Sequence, residues 1–460
     1  MRFCVALTCL FVLPQCLSPA TAADNKNVVL IVVDDQGFEM GCYGNDTIRT
    51  PNLDALAASG TRFTQAYATV ASCSASRSVI LSGLFNHNNG QYGHAHDYHH
   101  FAAMPRVRGL SLLLADAGYR TCSIGKFHVA PQETFDFEVY ANDGIQGARN
   151  PVRMAENARR FIEDIGDDPF FLYFCTSDPH RARVGFSNDQ PHPGVDEVHY
   201  DPADVVVPPY LPDTDAVRGE LAEFYQAISR VDQGVGRLMQ VLDDTGHTDD
   251  TLVIYISDNG PPFPGAKTTI YDPGIHLPML VRRPGQSPGV VNNAMVSFVD
   301  LTPTILEFTG AAAPDYPLHG RSFLSIIDQS DPPGWDEVRA SHTFHEITMY
   351  YPMRAIRTRQ YKYIFNLASG LEYPFASDLW DSPTWQEVVA NHAPMYAGRT
   401  VDAYIHRPRR ELYDVSADPD ELVNLADDAA HAKVLTDLQS RLKKWQVRTK
   451  DPWVIKYEHE

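Results

Sequence analysis

Val28-Val29-Leu30-Ile31-Val32-Val33-Asp34-Asp35 joins an unbroken apolar, mostly β-branched run to a pair of carboxylates. An apolar run with no polar alternation fits a strand buried on both faces, as in a parallel sheet covered by helices. Arg120 to Ile124, Phe170 to Phe174 and Leu252 to Ile256 have the same texture. Helix-like segments lie between them. In Thr50 to Ala58, for example, Thr50 can cap, Pro51 sits at the first turn, and Leu53, Leu56 and Ala57 share a face. The alternation predicts an α/β layered domain with a mixed, mostly parallel central sheet. Each apolar run ends in chemically able residues: Asp34-Asp35, Gly125-Lys126-Phe127-His128, Asp178-Pro179-His180 and Asp258-Asn259-Gly260. Ligand sites in open α/β sheets lie at the carboxyl ends of the strands, so these four clusters are expected to converge.

The chain has 460 residues, 44% of them hydrophobic, enough for one large domain with a smaller companion. Met1-Arg2, the apolar run Phe3 to Leu13 and Ala20-Thr21-Ala22 have the three parts of a secretory signal peptide, here assigned to residues 1–22. That predicts export to a periplasmic, extracellular or lysosome-like compartment. The bulky residues Leu13-Pro14-Gln15 argue against lipidation at Cys16, and no other apolar stretch reaches the roughly 20 residues needed to cross a bilayer, so no membrane attachment is expected. Cys42, Cys73, Cys122 and Cys175 remain after cleavage, too few in so long a chain for a disulfide framework. A formal net charge of −20 disfavours nucleic-acid partners and requires any anion site to be built locally from a few cations.

Gly185 to Pro212 reads as a long surface excursion. Beyond about Pro333 the texture changes: Tyr361 to Leu367 resembles an antiparallel strand, and Val434, Leu435, Leu438, Leu442 and Trp445 form a helical stripe. The expected division is a catalytic domain over 23–337 and a smaller α+β domain with an antiparallel sheet over 338–460.

Cys73-Ser74-Ala75-Ser76-Arg77 followed by Leu81-Ser82-Gly83 resembles the signature of the formylglycine-dependent sulfatases, with Ala75 at a position where proline is commoner. The resemblance implies a large alkaline-phosphatase-like sandwich and oxidation of Cys73 to formylglycine. One hydroxyl of the hydrated aldehyde attacks sulfur, and the other later expels sulfate. The segment from Cys73 through Leu84 looks helical, which places the nucleophile at a helix N-terminus that favours an anion. Asp34, Asp35, Asp258 and Asn259 are hard oxygen donors suited to Ca²⁺ or Mg²⁺ rather than zinc. The family resemblance implies one Ca²⁺, with modified Cys73 completing its shell. Arg77 lies one helical turn beyond Cys73 and can reach the same anion. By resemblance, Arg77 steadies the nucleophile and the metal-bound carboxylates, and Lys126 and Lys267 neutralise sulfate oxygens. His128 holds the diol and takes its proton, and His180 protonates the leaving atom.

The resemblance covers almost the whole chain and is closest to the heparan N-sulfatase (sulfamidase) branch. It extends through Asp34 to Glu39, Asp97 with His99-His100-Phe101, Ser257 to Gly260, Asp300 to Leu306, His345 to Met349, Tyr351 to Arg354 and Glu411 to Asp414. Two departures stand out: Lys267 occupies a position where the branch carries arginine, and Arg181-Ala182-Arg183 replaces the cysteines that follow Asp-Pro-His in the branch. His87, His94, His96, His99 and His100 read as pocket walls that recognise sugar hydroxyls rather than as a transition-metal site, with His345 and Glu346 as further candidates. The expected reaction is hydrolysis of the sulfamate of glucosamine at the end of a heparan-like saccharide. The alternatives are an O-sulfatase acting on another sulfated glycan and an inactive sugar-binding protein. The expected partners are the sulfated saccharide, a formylglycine-generating maturation enzyme and, by resemblance, a second copy in a homodimer.

Overall fold

A computed structural model describes residues 26–455, so the leader assigned above lies outside the described residues. Nine strands form the main sheet: β1 (Asn27–Val33), β2 (Thr61–Tyr67), β3 (Arg120–Gly125), β4 (Val139–Tyr140), β5 (Phe170–Cys175), β6 (Thr251–Ser257), β7 (His276–Arg282), β8 (Val290–Asn292) and β9 (Val296–Ser297). Their order is β4-β3-β5-β1-β6-β7-β2-β8, with β9 also on β2. The run from β4 to β6 is parallel, whereas β7 is antiparallel to both β6 and β2. The four apolar runs read from the sequence are thus β3, β5, β1 and β6, four adjacent parallel strands. Their carboxyl ends meet along one edge of the sheet.

Every residue of β1 is fully buried, and its two faces enter different cores. Val28, Leu30 and Val32 pack with Leu110, Leu114, Leu301 and Ile305 on one side. Val29, Ile31 and Val33 pack with Leu53, Ala158, Phe161 and Leu238 on the other. The sheet is therefore the middle layer of a sandwich, and the continuous apolar pattern is the consequence of helices covering both faces.

A second sheet of four strands, β10 (Glu337–His342), β11 (Met353–Thr358), β12 (Tyr361–Asn366) and, after the short pair β13 (Met395–Tyr396) and β14 (Arg399–Thr400), β15 (Arg410–Asp414), is antiparallel throughout. Leu435, Leu438, Leu442 and Trp445 on the helix Ala432–Arg448 cover it, and the same core takes in Ala75 and Val79 from the helix Cys73–Ser82. The second sheet thus reaches the helix that carries Cys73. Among the described residues, no helix is long and apolar enough to cross a membrane.

Two local expectations change. Thr50 precedes the helix Pro51–Ser59 but does not cap it: its hydroxyl accepts from the Gly41 N–H at 2.9 Å and lies 3.3 Å from Asp54 Oδ1. Asp232, from a distant helix, instead accepts from the Asn52 and Leu53 amides at 3.0 and 2.8 Å. The helix that begins at Cys73 stops at Ser82 rather than Leu84, because Gly83 adopts a left-handed conformation (φ 64°) and closes it with an N–H bond to Val79.

Candidate active site

The strand ends continue their pairing beyond the sheet. Asp34 N–H donates to Asp178 O at 3.2 Å, and Asp258 N–H donates to Val33 O at 3.0 Å. This places Asp34 and Asp35 beside Asp258 and Asn259. Asp35 adopts φ 66°, a strained conformation for a non-glycine residue that the surrounding bonds enforce. Its N–H donates to Asp258 Oδ1 at 3.2 Å, and its Oδ1 accepts from Asn259 Nδ2 at 2.6 Å. All four side chains are fully buried.

Cys73 is the first residue of its helix, and its Sγ lies 3.9 Å from Asp35 Oδ1. Ser72, in the capping position, is extended (φ −154°), and its hydroxyl bonds His345 Nδ1 at 2.9 Å instead of capping the helix. The start of the helix, where Cys73 sits, is therefore left without a side-chain cap. One turn later, Arg77 Nε donates to Asp258 Oδ2 at 2.8 Å and its Nη1 donates to Lys126 O at 3.1 Å.

Two ammonium groups flank the thiol. Lys126 Nζ donates to Asp34 Oδ2. Lys267 Nζ donates to Asp35 Oδ2 at 2.8 Å and to Asp378 Oδ2 at 2.7 Å, and lies 3.0 Å from His180 Nε2. His128, also at positive φ (54°), has Nε2 2.6 Å from His96 Nδ1. The six candidate catalytic residues and the four oxygen-donor residues named from the sequence thus occur together. A cleft of about 580 Å³ reaches Asp34, Lys126 and His180, with Arg149, Arg181 and the exposed Arg183 along it. Arg149 and Arg181 are themselves paired with Asp178 and Glu220, so the charge they bring to the cleft is largely offset.

The charges are strongly coupled. Burial disfavours ionised Asp34, but Lys126, His180 and Arg77 hold its carboxyl well below the usual range. Asp258 is pushed up to about 8 by burial and by Asp34, against the opposing pull of Arg77. Burial lowers His180, and Lys267 acts in the same direction. Burial also lowers His128, with Lys126, His94 and His96 acting in the same direction. Burial raises the Cys73 thiol well above its usual value, and Lys126 offsets this only in part. A simple thiolate nucleophile is therefore disfavoured here.

Asp34 Oδ1 and Asn259 Oδ1 are buried with no hydrogen-bond partner. Two orphaned oxygens beside Asp35 and Asp258 form a donor set that fits a hard divalent cation, which would satisfy both.

Several neighbours escape a reading of the sequence. Asp378 comes from the helix Ser377–Trp380, far along the chain, and sits in no recognisable motif. Asp178 is held by Arg149 at 2.7 Å and Arg230 at 2.6 Å, and Arg149 also donates to His180 O at 2.9 Å, fixing that loop. Arg181 pairs with Glu220. Among the pocket histidines, His94, His96 and His99 cluster with His128, and His94 also packs on His345. His87 does not join them: it is buried between Phe85 and Trp445, with Nε2 2.9 Å from Thr449 Oγ1. His100 is exposed. Glu346 accepts from Ser377 N–H and Oγ.

The family model described as Sulfatase matches residues 26–311, and that described as N-sulphoglucosamine sulphohydrolase, C-terminal, matches residues 266–393. The chain belongs to the sulfatase family. It is 41% identical to human N-sulphoglucosamine sulphohydrolase over 93% of this chain and 91% of that protein. An ulvan-active sulfatase of Formosa agariphila is 27% identical over 92% of this chain and 75% of its own. A protein solved in complex with its substrate D-glucosamine-2-N,6-O-disulfate superposes with a TM-score of 0.67 at 20% identity, covering 93% of this chain and 98% of that one. The phosphonate monoester hydrolase of Agrobacterium radiobacter superposes with 0.68 at 20% identity over 92% and 96%. At such identities these two structures speak for the shared α/β fold alone. The family match and the human relative make this chain a hydrolase of the sulfatase class.

Proposed function

We propose that this enzyme hydrolyses the N-sulfate of glucosamine in heparan-like saccharides, acting at the chain end and releasing sulfate and the amine. The observation that carries the reading is the placement of Cys73 at a helix start, beside Asp35 and between Lys126 and Lys267. It is supported by the 41% identity with the human N-sulphoglucosamine sulphohydrolase. Asp34, Asp35, Asp258 and Asn259 would hold one Ca²⁺, a Lewis acid for the sulfate oxygens and the nucleophile. Oxidation of Cys73 by a maturation enzyme would supply a hydrated aldehyde in place of a thiol.

The chain's own residues do the rest. Lys126 and Lys267 offer ammonium groups to sulfate oxygens as negative charge grows there in the transition state. Arg77 fixes Asp258 and, through the Lys126 carbonyl, the loop that carries Lys126. His180 Nε2, 3.0 Å from Lys267, is placed to carry a proton to the departing atom. His128, bonded to His96, is placed to exchange a proton with the nucleophile. We further propose a catalytic domain over 23–337 and a smaller domain over 338–460, export through the leader at 1–22, and assembly as a homodimer.

The test is peptide mass spectrometry of residue 73 combined with sulfate release from N-sulfoglucosamine, with and without a calcium chelator. An aldehyde with chelator-sensitive release supports the reading. An aldehyde with release only from O-sulfated sugars replaces it with an O-sulfatase, and sugar binding without turnover despite the aldehyde and calcium replaces it with a binding protein.

A further inference from the structure

Asp378 has no assigned part in the chemistry above, yet it lies against two residues that do. Its Oδ2 is 2.7 Å from Lys267 Nζ and 3.8 Å from His180 Nε2, the atom placed to deliver the proton. Asp35, His180 and Asp378 offer ligand atoms that all lie within 4.8 Å of one another. Lys267 is wholly enclosed, whereas the side chains of Asp378 and His180 keep 20% and 24% exposure. The carboxylate and the histidine thus both keep part of their surface open to solvent.

Its position is held from outside the catalytic set. Glu346 Oε1 accepts from Ser377 N–H at 2.8 Å and Ser377 Oγ at 2.6 Å, pinning the start of the short helix that carries Asp378. The segment around Glu346 also contributes His345, which bonds Ser72 next to Cys73. The loop that positions the nucleophile thus positions this carboxylate too.

Lys267 already has Asp35 as a charge partner. A further carboxylate beside an ammonium meant to meet sulfate repels an anionic substrate, unless the substrate supplies a hydrogen-bond donor in return. A sulfate ester has none at its bridging oxygen. A sulfamate has an N–H at its bridging nitrogen, and the amine released becomes a cation.

We propose that Asp378 is the specificity-determining residue that recognises a nitrogen leaving group, by accepting the N–H of the sulfamate and holding the amine product. The inference rests on the sulfamidase reading above and deepens it. In the step concerned, the S–N bond breaks with its electron pair passing to nitrogen as the nucleophile at residue 73 takes the sulfo group, and His180, whose Nδ1 proton is held by Arg181 O, gives the Nε2 proton of its imidazolium form to make the new N–H bond. Asp378 accepts hydrogen bonds from nitrogen throughout and remains ionised. Against an ester, the same carboxylate faces a lone pair and opposes binding.

The experiment compares glucosamine with glucose, which differ in the amine and hydroxyl at one carbon, as competitive inhibitors and calorimetric ligands of the calcium-loaded, aldehyde-bearing enzyme. Wild type is expected to prefer the amine by about 10-fold or more, the scale of a charge-assisted hydrogen bond. In Asp378→Asn the preference is expected to fall towards unity, with kcat/KM for N-sulfoglucosamine lowered about 10- to 100-fold. Asp378→Glu is expected to recover part of both. Absence of an amine preference in wild type overturns the proposal before any variant is made. Equal weakening of both sugars by Asp378→Asn also overturns it and leaves the residue as a support for Lys267. Wild-type turnover of O-sulfated sugars alone would refute the sulfamidase reading separately.

Discussion

Arg77 Nε and Asp258 Oδ2 meet at 2.8 Å with both side chains completely buried. Arg77 also faces Asp34 at 3.7 Å, so one guanidinium lies between two carboxylates that repel each other. Asp258 is already pushed up to about 8 by burial and Asp34. Removing Arg77 takes away the cation that opposes this. Breaking a buried pair by deleting one partner costs about 3–5 kcal/mol when the other charge is left uncompensated, and protonation of Asp258 brings the cost here to the lower end of that range. Arg77→Met is therefore expected to lower the urea midpoint of unfolding by a corresponding amount and to abolish turnover. Arg77→Lys keeps a charge but loses the fork that reaches both Asp258 and the Lys126 carbonyl. It is expected to lose less stability while still losing most activity. A wild-type midpoint in Arg77→Met would contradict this account.

The buried Asp34 Oδ1 and Asn259 Oδ1, neither of which accepts a hydrogen bond, predict a calcium-dependent melting temperature. A ligand present at 100 times its Kd stabilises the native state by about 2.7 kcal/mol. Dialysis against a chelator is expected to lower the melting temperature and stop sulfate release, and added Ca²⁺ is expected to restore both. Asn259→Ala removes one donor and is expected to need far more Ca²⁺ for the same shift. Identical melting curves for wild type with and without Ca²⁺ would remove the metal from the proposal.

What could be read in advance follows from how local the cause is. β1, β3, β5 and β6 announce themselves because burial on two faces leaves no polar alternation in the chain itself. The convergence of Asp34, Lys126, His180 and Asp258 follows from the same cause, since adjacent parallel strands deliver their ends to one edge. The helix at Cys73 and its partner Arg77 are a matter of spacing within one turn. Asp378 is different: it belongs to a four-residue helix without periodicity, and only the docking of the second sheet brings it to Lys267. His87 and His94 look alike in sequence, yet Trp445, from the last long helix, claims the first for the core. Thr50 has the right residue type and position for a cap, but Gly41 and Asp54 occupy its hydroxyl.

Gly125, the last residue of β3 and the one before Lys126, has φ 90°, and a Cβ placed on it would lie 2.0 Å from the carbonyl oxygen of Cys175. Backbone on the neighbouring strand cannot step aside as a flexible side chain would. Gly125→Ala is thus expected to be destabilising by more than about 1 kcal/mol from the left-handed backbone alone, with the clash adding to it. Since Lys126 follows directly, kcat is expected to fall further than the loss of folded protein accounts for. Stability from urea unfolding and kcat per folded molecule separate the two effects.

Acid stability offers a check that does not depend on catalysis. Burial holds His87 down to about 3, with Asp451 opposing and Arg354 reinforcing. Burial, with Arg354 and Arg407, also holds His342 down to about 3. His319 is held down to about 4 by burial, Arg448 and Arg106. Each folded-state value lies below the 6.5 of an unfolded histidine, so between about pH 6.5 and pH 4 the unfolded chain binds protons that the native state does not. Stability is then fully present above pH 6.5 and declines as the pH falls, each histidine contributing up to about 1.4 kcal/mol per pH unit. His87 lies apart from the catalytic groups, packed on Trp445 and bonded to Thr449. His87→Gln, which retains a polar group towards Thr449, is expected to cost stability at pH 7.5 through lost packing. It is also expected to flatten the decline between pH 6 and pH 5 by about 1 kcal/mol per pH unit. Urea midpoints at these three pH values measure both effects. An unchanged slope in His87→Gln would mean that His87 takes up its proton in the native state as readily as in the unfolded chain.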